Sequence, residues 1–298
     1  MKAEPSLDDL FRQAVGAIDA GDLATLSRLL ADHPRLAHER LTTPGPWLRD
    51  QVGDALGGFF KDPYLLWFVA EDPVRNRRLP ANIVDITNAI IDAARRTGTK
   101  NLQEQLDYAL CLVAWSGVAA DFGVQLQLID ALIDAGAAPA LNANNALVNS
   151  HFAAAERILE RGGEVTLASA LCLGRWEDAE RLAREATVEQ RQFAFILAAL
   201  TGRAEGVRRA LELGAGINQR TKELYSHATA LHHAVCSGSL DTVKVLVDAG
   251  ADTRAKDKVY GGTPLGWAKH YVGEARDDES RARYAAIAAY LEERGNDD

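Results

Sequence analysis

The sequence has few cysteines, and their placement indicates no chemical use. Cys111, Cys172 and Cys236 lie far apart, with neither a Cys-x-x-Cys spacing nor a histidine at a metal-ligand spacing. This excludes the common disulfide frameworks and zinc motifs, and we expect neither a metal nor a cofactor. Such sparse cysteine is typical of a reducing compartment, so we expect a cytoplasmic protein.

Positive charge is scarce as well. The chain holds 33 Lys and Arg against 42 Asp and Glu, a formal net charge of −9. A nucleic-acid surface needs a basic footprint, so we expect no nucleic-acid partner. No apolar run approaches the ~20 residues of a membrane span, and the first residues lack the apolar core of a signal peptide, so we expect no membrane partner. Abundant alanine and an excess of arginine over lysine favour a bacterial source.

The common catalytic and nucleotide-binding motifs are also missing. The sequence contains no GxGxxG, no Walker loop, no GxSxG, no HExxH and no EF-hand spacing, and no spacing marks two carboxylates as an acid–base pair. Four histidines fall between residues 227 and 270, but the adjacent His232 and His233 would point in different directions on a helix. We therefore predict a protein that is not an enzyme.

Residues 229–268 contain one complete helix-pair motif and the start of the next. Thr229 and Thr263 are 34 residues apart, and each can N-cap a helix. Pro264 suits the first helical position, where its missing N–H costs nothing. Gly238 can adopt the left-handed conformation that ends a helix. The spacing predicts a repeated helical unit.

A second helix completes the motif. Its apolar stripe is Val243, Leu246 and Val247, and Gly250 stops it. Together these features resemble the ankyrin repeat. The resemblance implies stacked helix pairs joined by hairpin fingers, with partner proteins bound in a concave groove lined by finger tips and first-helix positions. It also implies that His232 supports a hydrogen-bond network between repeats.

The stripe recurs along the chain, seven, four and three places before a closing residue. The matching sets are Leu26, Leu29 and Leu30; Ile129, Leu132 and Ile133; Ala155, Ile158 and Leu159; Ala179, Leu182 and Ala183; and Val207, Ala210 and Leu211. We therefore predict an all-α, ankyrin-like solenoid of about eight stacked helix pairs. It would form a single domain over 1–298, with an N-terminal cap repeat at 1–40, inner repeats over 63–271 and a C-terminal capping helix at 272–298.

The spacing of the closing glycines indicates where fingers are missing. Gly136 and Gly162 are 26 residues apart, and Gly214 follows after twice that distance, against an ankyrin period of ~33. The middle repeats should therefore be bare helix pairs joined by short turns. We expect the few fingers at residues 215–228 and 252–262.

Two further segments interrupt the repeats. The long insert near 42–62 carries Trp47, Phe59 and Phe60, which either fold back over the core or form an exposed tip that grips a partner. The second segment carries Arg75, Arg77 and Arg78, which form either a solvated turn or an anchor for an acidic peptide or a phosphate.

The predicted function is a non-enzymatic, monomeric protein–protein interaction module that binds a partner protein or peptide in the concave groove. The candidate contact residues are Trp115, Asn149, Leu173, Tyr225, Tyr260, His270, Tyr271, Trp47, Arg77 and Arg78. The alternative is a small-molecule-binding or catalytic protein with a pocket near the aromatic insert and Arg75–Arg78.

Overall fold

The computed structural model describes residues 5–295, and over that range the chain is helical with no β-strand. The all-α prediction is therefore confirmed. The chain divides into two compact units, residues 1–164 and 165–298, and the described part of each contains four helix pairs. The assignment of a single solenoid domain stays a prediction.

The first unit stacks four helix pairs, with one short α-helix between the first and second pairs and another between the two helices of the third pair. Its α-helices are α1 (Leu7–Ala20), α2 (Leu23–Asp32), α3 (Pro46–Val52), α4 (Ile83–Arg96), α5 (Leu102–Trp115), α6 (Gly117–Asp121), α7 (Gln125–Asp134), α8 (Asn142–Val148) and α9 (Phe152–Glu160). The 3-10 helix Leu65–Ala70 takes the place of a first α-helix in the second pair, where it packs between α1 and α5. Together with α4 it forms the second pair.

Local signals explain how the first pair forms. The Ser6 side chain accepts a hydrogen bond from the Asp9 amide over 3.1 Å at the start of α1, and Asp22 does the same for Thr25 over 2.9 Å at the start of α2. Gly21 ends α1 in the left-handed conformation, at φ +70°. The stripe of α2 is buried, as its spacing predicts.

The second unit is more regular. Its helices are α10 (Leu167–Leu173), α11 (Trp176–Ala183), α12 (Val188–Leu200), α13 (Ala204–Glu212), α14 (Ala230–Cys236), α15 (Leu240–Asp248), α16 (Pro264–Glu274) and α17 (Asp278–Gly295). Thr187 and Gln190 form a capping box at the start of α12, and Thr263 caps α16, as predicted. In the stripe of α15, Val243 and Leu246 are fully buried.

The connections in the second unit fall into two length classes. Only residues 184–187 separate α11 from α12, whereas residues 213–229 and 249–263 form long fingers. The fingers are built from turns rather than paired strands. They contact each other through the backbone, where the Lys258 amide donates to the His227 carbonyl over 2.9 Å. The predicted division between bare pairs and fingers is therefore confirmed, with turns where hairpins were expected.

Candidate partner-binding surface

A single buried carboxylate organises the last finger of the second unit. Asp257 accepts hydrogen bonds from the amides of Val259, Tyr260 and Gly262 over 2.9, 2.6 and 2.8 Å, and from Trp267 Nε1 over 3.1 Å. Burial alone would raise the pKa of this carboxyl, but the donated hydrogen bonds outweigh that effect and hold the pKa well below its usual range. The finger is therefore fixed in one conformation.

The finger tips present large side chains to solvent. Tyr260 is 81% exposed and Val259 is 63% exposed, and in the preceding finger Tyr225 is 46% exposed. Tyr225 has a positive φ of 43°, and its ring lies 6.0 Å from that of the buried His233. The sequence-based choice of Tyr225 and Tyr260 thus falls on exposed aromatic side chains, one in each finger.

Histidines connect the fingers to the helices behind them. His232 Nδ1 lies 2.8 Å from Thr229 Oγ1, and its Nε2 lies 3.1 Å from the carbonyl of Gly262 in the next finger. Burial lowers the pKa of His232, and it lowers that of His233 to about 3. Both rings are therefore neutral at physiological pH, and His232 forms the link between repeats that the resemblance implies.

The other predicted contact residues of the second unit differ in exposure. His270 is exposed, whereas Leu173 and Tyr271 are half-buried. The Tyr271 hydroxyl contacts Cys236 Sγ over 3.2 Å, and its ring stacks on Tyr284 with centroids 4.9 Å apart. Of these three side chains, only His270 is exposed to solvent. Tyr271 packs against Tyr284 of the last helix, α17.

In the first unit, two predicted residues lie on neighbouring first helices. Trp115 is half-buried at the end of α5, and Asn149 is exposed just after α8. The Asn149 Nδ2 donates a 2.9 Å hydrogen bond to the Trp115 carbonyl, which places the two residues side by side. The structure therefore brings these two residues into one surface.

The aromatic insert is partly buried and partly exposed. Phe60 is buried against Phe68, with ring centroids 5.2 Å apart. Trp47 is half-buried, and its Nε1 donates to Asp8 Oδ1 over 2.7 Å. Phe59 is 51% exposed. The two interpretations of the insert therefore apply to different side chains, and Trp47 acts mainly in holding the insert against α1.

The three arginines of the second segment also have different roles. Arg77 and Arg78 are exposed, as a solvated turn predicts. Arg75 is buried and pairs with Glu71 over 2.8 Å and with Asp19 over 3.0 Å. The Glu71 carboxylate also accepts hydrogen bonds from three successive backbone amides, those of residues 75–77. Arg75 is thus a structural residue, and only the other two arginines face solvent.

The family comparison agrees with the geometry of the second unit. Residues 164–257 match the family model of ankyrin repeats in three copies. Residues 164–257 are ankyrin repeats. The match covers the three pairs from α10 to α15 and ends inside the finger that Asp257 organises. No curated protein matches the chain.

Ankyrin repeats in general serve protein–protein interaction, so their presence indicates a protein partner. In the described range no helix is long and apolar enough to cross a membrane. Residues 5–295 likewise contain no group of three His, Cys, Asp or Glu side chains placed to hold a metal ion.

A cavity of about 470 Å³ lies at the turns after α6 and α8 of the first unit. Its lining includes Gln125, Ser150 and His151. His151 Nδ1 is 3.0 Å from Gln125 Nε2, which also donates to the carbonyl of Val113, so the polar groups of the cavity contact each other and the backbone. This cavity is lined by other residues than the aromatic insert and Arg75–Arg78, where the alternative prediction places a pocket.

Two side chains that organise loops, one in each unit, could not be recognised from the sequence. Asp257 resembles any other acidic residue of the chain, although an Asp followed by two glycines within five residues is a typical turn signal. Glu71 gives no such signal, because nothing in the sequence shows that the amides of residues 75–77 turn back onto its carboxylate. Only the three-dimensional arrangement identifies these side chains as the organisers of their loops.

Proposed function

We propose that this chain is a non-enzymatic interaction module that binds a partner protein or peptide segment. The binding surface of the second unit consists of the fingers and the adjacent first-helix positions, with Tyr225, Tyr260 and His270 as contact residues. Trp115 and Asn149 have the same role on the first-helix face of the first unit. We further propose that the protein is a cytoplasmic monomer without a cofactor.

The exposure of Tyr260 and Val259 on a finger fixed by Asp257 carries this proposal. Large apolar side chains in contiguous exposed patches mark interaction sites more often than ordinary surface. Tyrosine is also enriched among the residues that dominate binding energy. Because the finger is already ordered, a partner loses little free energy to conformational ordering when it binds.

The state of the cysteines and histidines supports a non-catalytic role. Burial raises the pKa of Cys172 to about 12 and, together with the charge of Asp72, that of Cys111 to about 11. These two thiols are therefore protonated at neutral pH and are poor nucleophiles. His232 is engaged in the link between repeats, so it is not available as a general base.

Affinity capture with matched variants tests the proposal. The full chain and a Tyr225→Ala, Tyr260→Ala double variant would be used as baits in lysate of the source organism, with recovered proteins identified by mass spectrometry. The control bait changes Glu177 and Arg184 to alanine, since both are exposed on or beside the second helix α11. We expect a protein that the wild type and the control bait recover and the folded tyrosine variant loses.

Equal recovery by the tyrosine variant would show that the fingers do not form the binding surface. Recovery of no specific protein by the wild type would count against the interaction module itself. Circular dichroism of each bait would establish that the variants are folded.

A further inference from the structure

In the first unit, the surface formed by the first helices of the pairs contains a carboxylate whose negative charge no described residue neutralises. Asp72 lies two residues after the 3-10 helix Leu65–Ala70, whose last carbonyl accepts a 2.6 Å hydrogen bond from Ser116 Oγ. This contact holds the segment against the end of α5. Asp72 is half-buried, and its carboxylate makes no hydrogen bond or ion pair within residues 5–295. The nearest arginine in sequence, Arg75, is engaged by Glu71 and Asp19.

The segment that leads into Asp72 packs against α5. Tyr108, Cys111 and Trp115 are spaced i, i+3 and i+7, so they share one face of this helix, and all three are half-buried. Burial, and after it the charge of Asp72, raises the pKa of Cys111. Burial, Cys111 and Asp72 also raise the pKa of Tyr108. Asp72 therefore lies within electrostatic reach of a surface with two aromatic rings.

The neighbouring helix adds further hydrogen-bond acceptors. Asn145 Nδ2 donates to Cys111 Sγ over 3.4 Å and to Asn142 Oδ1 over 2.9 Å, and Asn149 Nδ2 donates to the Trp115 carbonyl. The side-chain oxygens of Asn145 and Asn149 accept no hydrogen bond from residues 5–295. With their donors occupied, these amides and Asp72 present acceptors to a partner.

The ionised form of Asp72 is unfavourable in the free protein. Burial, followed by the negative charge of Glu71 in its own loop, raises the pKa of Asp72 to about 6. Tyr108 and Cys111, from α5, are the titratable groups that its charge affects, and neither is a cation at neutral pH. A carboxylate that is partly desolvated without an internal partner is typical of a binding site rather than of a folding contact.

From these contacts we infer that Asp72 and the α5 face bind an arginine side chain presented by a basic segment of a partner protein. A guanidinium carries only donors, forms paired hydrogen bonds with a carboxylate and stacks on aromatic rings. Trp115 supplies such a ring, and Asn145 supplies a further acceptor. The half-buried Tyr108 lies on the same face, with its ring packed on that of Trp67 at a centroid distance of 4.4 Å. The inference rests on the proposed function, because it assumes that the partner is a protein, and it adds the chemistry of the residue recognised.

Two properties of the chain favour a basic peptide segment over a free small cation. The net charge of −9 attracts a basic partner before contact. Phe59 and Val74 are 51% and 45% exposed. The Phe59 carbonyl accepts a hydrogen bond from the Tyr108 hydroxyl, and Val74 lies two residues from Asp72 in the same loop. Apolar side chains around a charged contact exclude water from it. A bound peptide can complete this exclusion of water.

Nuclear magnetic resonance of the isotope-labelled full chain tests the inference with defined probes. The first probe is acetyl-Gly-Arg-Gly amide, and its matched control carries citrulline, the neutral isostere of arginine. We expect the arginine probe to bind in the millimolar range and to shift the signals of Asp72, Cys111 and the Trp115 indole. Equal shifts with the citrulline probe, or no shifts at these positions, would overturn the inference.

A third probe with lysine in place of arginine separates the two basic side chains. We expect lysine to bind several-fold more weakly, because an ammonium lacks the planar fork that pairs with a carboxylate and stacks on a ring. Binding as tight as that of the arginine probe would overturn the assignment to arginine.

Two variants connect the binding to Asp72. Asp72→Asn should weaken the arginine probe about tenfold and should not lower the unfolding midpoint at pH 7.5. Asp85→Asn, an exposed acid on α4, should change neither. In the wild type, binding should weaken as the pH falls through about 6, the pKa of Asp72. Retained affinity in Asp72→Asn, or affinity that does not depend on pH, would contradict the inference.

These outcomes are separate from those of the capture experiment. Capture that depends on Tyr225 and Tyr260, without any response to the arginine probe, would leave the proposed function standing and remove the inference. Localised binding of the arginine probe without a captured protein would support the arginine site at Asp72 and count against the proposed function.

Discussion

The two units reach a similar arrangement of helix pairs by different means. In residues 165–295, threonines cap three of the four first helices without help from distant side chains, at Thr166, Thr187 and Thr263. In residues 5–164, side-chain caps of this kind open both helices of the first pair, at Ser6 and Asp22, but long-range contacts hold the two loop segments that follow. Asp8 binds the insert at Gly45 and Trp47, and Glu71 and Asp19 hold Arg75. A repeat can therefore lose its local signals when buried polar contacts fix the chain instead.

One titrating side chain in each unit makes the free energy of unfolding depend on pH, and the two dependences have opposite sign. In the first unit the pKa of Asp72 is raised to about 6, so its charge destabilises the fold above pH 6, and this effect is relieved as the pH falls toward 3.8. In the second unit burial lowers the pKa of His233 to about 3. The unfolded chain then takes up a proton that the folded one does not, so stability falls from pH 6.5 downward.

The largest effect should come from breaking the buried ion pair of the first unit. Glu71→Ala leaves Arg75 without its closest partner and three backbone amides without an acceptor, so we expect a loss of about 3–5 kcal/mol in the free energy of unfolding. Urea denaturation measures it. Glu39→Ala, which removes an exposed ion pair with Arg35, should cost less than about 1 kcal/mol. A small loss in both variants would mean that the pair does not fix this loop.

The stability of the second unit should depend most on the apolar stripe of its helices. Leu246 is fully buried on α15, and Leu246→Ala should lower the free energy of unfolding by about 2–5 kcal/mol, because it removes buried apolar surface and leaves a cavity. The exposed Lys244 on the same helix provides the control, and Lys244→Ala should change stability by less than about 0.5 kcal/mol. Similar losses in the two variants would show that the stripe is not the core of this repeat.

His233 should account for acid sensitivity in the second unit. Between pH 7.5 and pH 5 the wild type should lose about 2 kcal/mol through this side chain, because the unfolded state is protonated below 6.5 and the folded state is not. Glutamine does not titrate, so His233→Gln should reduce that loss by about the same amount. Denaturation at both pH values gives the comparison, which is independent of any constant cost of the substitution. An unchanged slope would show that other groups cause the acid response.

Asp72 should change the free energy of unfolding with pH in the opposite direction to His233, and by less, because this side chain is only half-buried. Lowering the pH from 7.5 to 5 should stabilise the first unit by about 1 kcal/mol through Asp72, and Asp72→Asn should remove that gain. The same denaturation series measures it, with Asp85→Asn as the control. If Asp72→Asn steepened the gain at low pH instead, the carboxylate would have an unrecognised partner in the folded protein.

The contrast between the units also explains what sequence patterns could predict. The stripe of α15, the capping box at Thr187 and the cap at Thr263 depend on neighbours within a few residues, so spacing alone identifies them. The exposure of Tyr225 and Tyr260 follows from their place in fingers of predictable length. The exposure of Phe59 and the burial of Phe60 could not be predicted from the sequence, because adjacent residues in a loop share the same local signals. Their burial depends on distant rings such as Phe68.

The same limit applies to Asp72. Its significance depends on the missing counter-ion, on Tyr108 and on Trp115, which the chain brings from more than 30 residues away. A sequence shows which charges are present but not which of them are neutralised after folding. The arginine turn illustrates the error that results, since Arg75 suggests an anion site and in fact pairs with two carboxylates.

The finger around Asp257 has a consequence for how such a surface can change in evolution. Three of the four groups that donate to this carboxylate are backbone amides, including those of Val259 and Tyr260. The conformation of the turn therefore does not depend on which side chains these two positions carry. Descendants of this chain can replace both side chains and so acquire new partners while the finger keeps its shape.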